Sequence, residues 1–209
     1  MEYLPILLVF VLYFIGVPIA YALFGAAIFY FAFFDAGMPP DLVLQRFVTA
    51  TASFPLLAIP FFIMAGTVMN YAGISKKLMA MASVLTGHMS GGLAQVNVLL
   101  STMMGGVSGS ANADAAMQSK MLVPQMVKRG YSPAFASAIT ASSSAISPVI
   151  PPGIVLILYA LIAQVSVAKM FIAGYVPGLL MAISLMLTVG FIAKKRGYKP
   201  ERASKASGK

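Results

Sequence analysis

The sequence predicts an all-α polytopic membrane protein with a re-entrant helical hairpin and a broken transmembrane helix. Of its 209 residues, 60% are hydrophobic and only 9% are charged, whereas about a quarter of the residues in a soluble domain are charged. The apolar residues form long runs, and clusters of glycine, serine and proline interrupt two of them. Lipid is therefore the expected solvent for most of the surface.

The N-terminal run Leu4–Phe34 has no charged residue and is long enough to cross a bilayer with tilt. Gly16 and Pro18 are expected to bend it, and a split into two shorter helices is the alternative. The chain start has no basic segment before this long run, so no cleavable signal peptide is expected. A turn at Asp35–Pro40 follows, and Asp41 is expected to cap a short amphipathic helix at the membrane interface.

Two further spans and an interfacial helix are predicted. Phe54–Asn70 is the second span, with Pro60 inside it, and Met170–Ala193 is the last one. Between them, Ile74–Thr86 is expected to lie at the interface on an apolar stripe. That stripe consists of Ile74, Leu78, Met81 and Leu85.

The segment Gly91–Lys128 is predicted to enter and leave the membrane on one face. Its first helix, Gly91–Gly105, is about 22 Å long, which is too short for a hydrocarbon core of roughly 30 Å. The glycine- and serine-rich tip Gly105–Asn112 leads directly into a second helix, Ala113–Val127. Two ordinary helices joined by a surface loop are the alternative.

The distribution of basic residues favours the re-entrant hairpin. In that topology the basic residues before the hairpin, after it and in the C-terminal tail share one side, which the positive-inside rule makes cytoplasmic. These residues are Lys76, Lys77, Lys128, Arg129 and the cluster that begins at Lys194. A full span would place the two basic pairs on opposite sides.

A second interruption divides the apolar stretch Tyr131–Gln164. Ser132 and Pro133 are residue types typical of an N-cap and a first helical position. Three prolines within Ser147–Gly153 are expected to break the helix, since each removes a backbone donor. Non-helical backbone at membrane depth is tolerated only inside protein or along a wet cavity, so both interruptions are expected to be functional.

Both interruptions carry candidate binding groups. Helices that end inside a membrane expose carbonyl oxygens suited to Na⁺, and helices that begin there offer amide donors to an anion. The predicted sodium-binding residues are Ser108, Gly109, Ser110, Asn112, Ser144, Ser147 and Pro148. The predicted substrate-binding residues are Asn112, Asp114, Ser142, Ser143, Pro151, Pro152 and Gly153.

Structural roles are the alternative for several polar residues. Asn112 and Asp114 can simply stabilise the start of the second hairpin helix. The serines of the broken helix can bond carbonyls one turn back, and Asn97 can serve only to bridge helices. Lys120 is expected to face protein or water, with Asp114 or Gln118 as its partner.

Composition excludes several other functions. Cysteine is absent, which excludes disulfides and thiol catalysis. The net charge is +9, but half of the 14 basic residues lie in Lys194–Lys209, and no basic stripe with aromatics indicates nucleic-acid binding. Neither a nucleophile–base pair nor a His/Glu metal set is present, so no enzyme is expected.

At its motifs the sequence resembles the first, N-terminal inverted repeat of the large membrane (M) subunit of tripartite ATP-independent periplasmic (TRAP) transporters. The matching stretches are Ser53–Phe62, Gly91–Val98, Gly106–Ser110, Ala113–Ala115, Ser147–Pro152 and Gly174–Leu180. In that family, sodium binds at elements that correspond here to Ser108–Asn112 and Ser144–Pro152. The second inverted repeat is missing, so we expect it in the same or another chain, and we do not expect this half to transport alone.

The resemblance implies an elevator-type transporter of a bacterial inner membrane, with Na⁺ as coupling ion and no other cofactor. Its substrates would be organic anions such as C4-dicarboxylates, sialic acids or other sugar acids. A periplasmic substrate-binding (P) protein and a small membrane (Q) subunit would be its partners. The rival hypotheses are a sodium-coupled carboxylate carrier without a binding protein and a non-transporting membrane assembly subunit.

The expected organisation follows from these assignments. Residues 1–73 form scaffold helices with an interfacial arm, and 74–90 form an interfacial helix. The hairpin at 91–129 and the broken helix at 130–165 form a transport domain. Residues 166–195 are a further scaffold helix, and 196–209 are a basic cytoplasmic tail.

Overall fold

The computed structural model describes residues 3–34, 41–52 and 54–200, and within them every regular element is a helix. The all-α prediction is therefore confirmed for this part of the chain. The chain divides into two compact units, Met1–Phe54 and Pro55–Lys209. Within the described ranges, Val167–Lys195 is long and apolar enough to cross a membrane, and Ala58–Tyr71 and Ile74–Thr86 pass the same test as one bent pair.

The described part of the first unit forms helices α1 (Leu4–Phe14), α2 (Ile19–Phe33) and α3 (Asp41–Thr51). α1 packs against α2, and the break between them contains Gly16 with φ +95° and Pro18, whose extended backbone precedes α2. The split into two shorter helices is thus confirmed. The predicted turn at 35–40 lies outside the described residues, so the capping role of Asp41, the first residue of α3, stays a prediction.

The second unit begins with α4 (Phe54–Tyr71) and α5 (Ile74–Thr86), whose axes meet at 71°. Gly73 forms the corner with φ +79°, a left-handed conformation that favours glycine. The Ser75 hydroxyl donates to Asn70 Oδ1 at 2.8 Å and ties the two helices together. Pro60 lies inside α4, as the sequence predicted.

The apolar stripe of α5 faces away from the protein core only in part, since Ile74 is half-buried and Leu78 packs against the core. Met81 and Leu85 are 47% and 54% exposed, whereas Ser75, Ala82 and Thr86 are buried where α5 packs against the next helix. Small residues on the packed face allow the two helices to approach closely. Lipid-facing apolar residues and a small, polar packed face are the reverse of the arrangement in a soluble protein.

The hairpin consists of α6 (Gly92–Gly105), α7 (Ala111–Met121) and α8 (Val123–Lys128). The first helix matches the prediction to within one residue. The second predicted helix is divided at Leu122, because Pro124 occupies the first turn of α8 and cannot donate a backbone hydrogen bond.

The broken helix is confirmed, with α9 (Pro133–Ser144) and α10 (Ile154–Ile162) as its two halves. The Ser132 side chain accepts from the Phe135 N–H at 3.3 Å, so the predicted N-cap and the following Pro133 begin α9. Gly153 is the N-cap of α10.

The last helix, α11 (Val167–Lys195), packs against α6 and α10. The Gln95 side chain of α6 donates to the Met186 carbonyl at 2.9 Å. Glycines allow further close approach: a β-carbon on Gly174 would lie 2.7 Å from the Val149 carbonyl oxygen, and one on Gly91 would lie 2.5 Å from Ala193 Cβ. The hairpin, the broken helix and α11 therefore form one closely packed group.

Candidate functional site at two helix breaks

The tip of the hairpin contacts the break of the α9–α10 helix directly. Gly109 has φ +55°, and a β-carbon there would lie 2.5 Å from the Pro152 carbonyl oxygen and 3.1 Å from Gly153 Cα. At the base of the tip, a β-carbon on Gly105 would lie 2.7 Å from Ile150 Cβ. Glycine at 105 and 109 therefore allows the two backbones to touch.

The hydroxyls of the hairpin tip stabilise the tip itself. Ser110 is the N-cap of α7, since its Oγ accepts from the Ala113 N–H at 3.4 Å. Ser108 donates to the Met104 carbonyl at 3.3 Å. The suggestion that Asn112 caps this helix is wrong, because Asn112 lies inside α7 and is exposed.

A buried polar network joins the hairpin to the broken helix. Asp114 is completely buried, and its Oδ1 accepts from Gln118 Nε2 at 2.8 Å. The Ser147 hydroxyl lies 3.0 Å from Asp114 Oδ2 and also 3.0 Å from the Ser101 carbonyl oxygen. A hydroxyl has one proton, so Ser147 can donate to only one of these acceptors at a time.

The Asp114 carboxylate has no basic partner among the residues that the structure describes. Its two recorded hydrogen bonds come from the neutral side chains of Gln118 and Ser147. The expected pairing of Lys120 with Asp114 or Gln118 is wrong, because those two bond each other and Lys120 is exposed. A buried carboxylate whose hydrogen-bond donors among the described residues are all neutral is a candidate ligand for a cation.

A second buried group of hydrogen bonds joins α6 to α9. Asn97 Nδ2 donates to Thr140 Oγ1 at 2.8 Å, and the Ser143 hydroxyl donates to Asn97 Oδ1 at 2.6 Å. Asn97 therefore does bridge helices, as one interpretation of the sequence held. Ser143, a predicted substrate ligand, takes part in this bridge.

The predicted site residues divide into those that meet and those that do not. The structure brings together the hairpin tip, Asp114 and the break between α9 and α10. Ser144 lies close by in sequence, and its hydroxyl is buried without a hydrogen-bond partner among the described atoms. Asn112 and Ser142 are exposed and lie outside the buried network. The residues that meet are Ser108, Gly109, Ser110, Asp114, Ser147, Pro148, Pro151, Pro152 and Gly153.

Sequence reasoning missed Ser101 and Thr140. Gln118 Nε2 approaches Ser101 Oγ to 2.5 Å, and Thr140 accepts from Asn97. The helical spacing of polar residues was the available signal, since Asn97 and Ser101 are four residues apart in an apolar helix and lie on one face.

A cavity of about 470 Å³ adjoins the hairpin tip. α4 contributes Thr67 and Asn70 to its lining, and the hairpin contributes Ser108 and Ser110. Gly66 of α4 also lines it, and a β-carbon there would lie 2.3 Å from the Val107 carbonyl oxygen. The tip is therefore held between α4 on one side and the broken helix on the other.

Comparison with known proteins identifies a family. Residues 6–208 match the family described as "Tripartite ATP-independent periplasmic transporter, DctM component". The chain is 40% identical over 196 residues to the sialic acid TRAP transporter permease protein SiaT of Haemophilus influenzae. This alignment covers 94% of this chain and 32% of SiaT.

Two further relatives are similar over shorter stretches. The 2,3-diketo-L-gulonate TRAP transporter large permease protein YiaN of Escherichia coli is 42% identical over 83% of this chain and 41% of that protein. The sialic acid large permease protein SiaM of Vibrio cholerae is 38% identical over 90% of this chain and 44% of that protein. The chain thus spans less than half the length of each of these relatives.

Proposed function

Because the chain belongs to the family of DctM components of tripartite ATP-independent periplasmic transporters, we propose that it supplies one repeat of a sodium-coupled importer of organic anions. The second repeat would come from the same polypeptide or another one, since the chain covers only part of its relatives. The protein would lie in a bacterial inner membrane with its basic tail in the cytoplasm.

The observation that supports sodium binding is the buried carboxylate of Asp114, which has no basic partner among the described residues and lies between two contacting helix breaks. Na⁺ is a hard cation and prefers oxygen ligands. Asp114, Ser147 and the partnerless hydroxyl of Ser144 supply such oxygens on the hairpin and on the broken helix. A sodium ion there would neutralise the charge of the Asp114 carboxylate and hold the hairpin tip against the break of the broken helix. Formation of the substrate-binding surface would then depend on sodium.

The relatives support an organic anion as the substrate. The names of SiaT and YiaN specify sialic acid and 2,3-diketo-L-gulonate, which are both sugar-derived acids. The start of α10 at Gly153 and the start of α7 at Ser110 would present amide donors to such an anion. The P protein would deliver it, and the Q subunit would complete the membrane complex.

The contacts of α11 support a changed division of the moving parts. The sequence grouped 166–195 with the scaffold, yet α11 packs on α6 and α10 through glycine contacts and the Gln95 hydrogen bond. We therefore include α11 with the hairpin and the broken helix in the domain that slides in an elevator mechanism.

Uptake by the assembled transporter in proteoliposomes tests this function. We expect Asp114→Asn to raise the sodium concentration for half-maximal uptake by about tenfold or more, since it removes a full charge from the ion site. Ser119→Ala, an exposed change on the same helix α7, should leave it unaltered. An unchanged sodium dependence in Asp114→Asn would exclude Asp114 as a ligand, and uptake without any binding protein would favour the rival carrier.

A further inference from the structure

A lysine on the second arm of the hairpin continues a row of residues that line the cavity beside the tip. On this arm the cavity is lined by Ser110, Ala113 and Met117, whose spacing places them in one row along α7. Lys120 follows Met117 by one helical turn, and its side chain is exposed. Lys120 therefore lies just beyond the cavity, on the same side of α7.

The usual direction of a helical side chain brings the Lys120 ammonium back toward this cavity. Long side chains on an α-helix point toward the helix N-terminus and cover the preceding turn. The N-terminus of α7 is at the hairpin tip, where Ser110 is the N-cap. The Lys120 stem is therefore expected to extend over Met117, toward the tip and away from the hairpin base at Lys128.

Lys120 has no ion-pair partner among the residues that the structure describes. The acidic residues in these ranges are Asp41, in the first unit, and Asp114. Asp114 is buried and bonded to Gln118 and Ser147. It lies about 120° around α7 from Lys120. Lys120 is about 12 Å along the helix from the hairpin base, so its charge lies at membrane depth in the re-entrant topology. A lysine at that depth is costly in lipid and indicates a functional site.

Neutral polar groups line the rest of the cavity. The α4 helix contributes Thr67 and Asn70, and the hairpin tip contributes Ser108 and Ser110. Their hydroxyl and amide groups can donate to and accept from the hydroxyls of a ligand. None of the described residues that line the cavity is charged, and Lys120 is the basic residue of α7. One ammonium beside several neutral polar groups suits a molecule with one carboxylate and several hydroxyls, whereas a dicarboxylate would leave one charge unpaired.

We propose that Lys120 binds the carboxylate of the transported substrate in this cavity, and that the substrate is a polyhydroxylated monocarboxylate. A hydrogen bond between an ammonium and a carboxylate is charge-assisted and therefore strong. Amide donors at the start of α7 would then face the hydroxyl end of the molecule. This inference rests on the proposed function and deepens it, because it names a binding residue and selects sugar acids over C4-dicarboxylates.

Thermal unfolding of the assembled transporter at constant sodium concentration tests the inference with three probes. D-gluconate is a polyhydroxylated monocarboxylate, D-sorbitol carries a hydroxymethyl group in place of its carboxylate, and succinate is a C4-dicarboxylate. Gluconate at millimolar concentration should raise the unfolding midpoint, because a ligand that binds only the folded state stabilises it. Sorbitol and succinate at the same concentration should produce no comparable rise.

Substitutions on the hairpin identify the residue responsible. Lys120→Met should weaken gluconate binding by about tenfold or more, because it removes the charged partner of the carboxylate. Lys120→Arg keeps the charge and should retain most of the binding. Lys128→Met is the matched control, since it removes the same charge from an exposed position at the hairpin base and should leave the gluconate response unchanged.

Each contrary result has a distinct meaning. A full gluconate response in Lys120→Met would exclude Lys120 as a ligand, and an equal loss in Lys128→Met would mean general electrostatic attraction. A succinate response as large as that of gluconate, or no gluconate response in the unmodified transporter, would overturn the sugar-acid assignment. Sodium alone should stabilise Lys120→Met but not Asp114→Asn. That difference without any gluconate effect would reject this inference and leave the proposed function intact.

Discussion

Gly109 and Pro152 join the hairpin to the broken helix by backbone contact, with only 2.5 Å between the Pro152 carbonyl oxygen and the place of a β-carbon on Gly109. Neither residue is chemically reactive, so the contact acts through shape. It makes the position of each break depend on the other. Ion and substrate binding at either break would then affect both.

Gly109→Ala should therefore destabilise the protein and impair uptake. The left-handed conformation of this residue costs a non-glycine about 1–2 kcal/mol, and the overlap with Pro152 adds to that cost. Gly73→Ala is a matched control, because it has a similar positive φ of +79° but nothing within 4 Å of the added carbon. Unfolding midpoints and initial uptake rates measure both effects, and equal losses in the two variants would mean that the contact is unimportant.

Gly66→Ala tests the contact between α4 and the hairpin tip. Alanine is a better helix former than glycine by about 1 kcal/mol, so the substitution should stabilise α4 in isolation. Its β-carbon would lie 2.3 Å from the Val107 carbonyl oxygen, so we expect a net loss of stability and slower uptake. Gly25→Ala in α2 meets no atom within 4 Å and should be neutral or stabilising in the same unfolding measurement.

Asn97→Leu should be strongly destabilising although the side chains are similar in size. The substitution removes the amide that donates to the Thr140 hydroxyl and accepts from the Ser143 hydroxyl. The Ser143 hydroxyl can still donate to the Thr140 carbonyl at 3.1 Å, but the buried Thr140 hydroxyl oxygen loses its donor. An unsatisfied buried group of this kind costs about 1–3 kcal/mol. Chemical unfolding of the purified protein measures the loss, and Gln125→Leu, which removes an exposed bond within one chain segment, is the control. A small effect at 97 would contradict the bridge.

Helix ends were predictable from the sequence where one residue type determines them. Gly73 ends α4 and Ser132 with Pro133 begins α9, because the required conformations and caps are local. The start of α7 was not predictable in this way. Ser110 and Asn112 can both cap a helix, and the contact of Gly109 with Pro152 favours the earlier residue.

The candidate site was predictable in its location but not in its bonding. Proline and glycine clusters marked both breaks, yet the link from Asp114 to Ser147 joins residues 33 positions apart. Their distance depends on how α7 packs on α9, which sequence spacing does not specify. The direction of the α5 stripe was not predictable in detail for a related reason, since apolar periodicity does not distinguish a lipid-facing surface from a core.

The re-entrant hairpin makes a prediction about sidedness. If α6, α7 and α8 enter and leave the membrane on one face, residues 77 and 128 lie on the same side; if they form a span, these residues lie on opposite sides. The chain contains no cysteine, so Lys77→Cys and Lys128→Cys can be introduced singly without a background from this polypeptide. Both positions are exposed and should react readily.

Membrane-impermeant thiol labelling of right-side-out and inverted vesicles measures the side of each cysteine. We expect both variants to be labelled only in inverted vesicles, together with Lys195→Cys at the end of α11, because the positive-inside rule makes this face cytoplasmic. Labelling of Lys77→Cys and Lys128→Cys from opposite sides would make the hairpin a full span. The breaks would then no longer be reached from one face, and the proposed site would have to be abandoned.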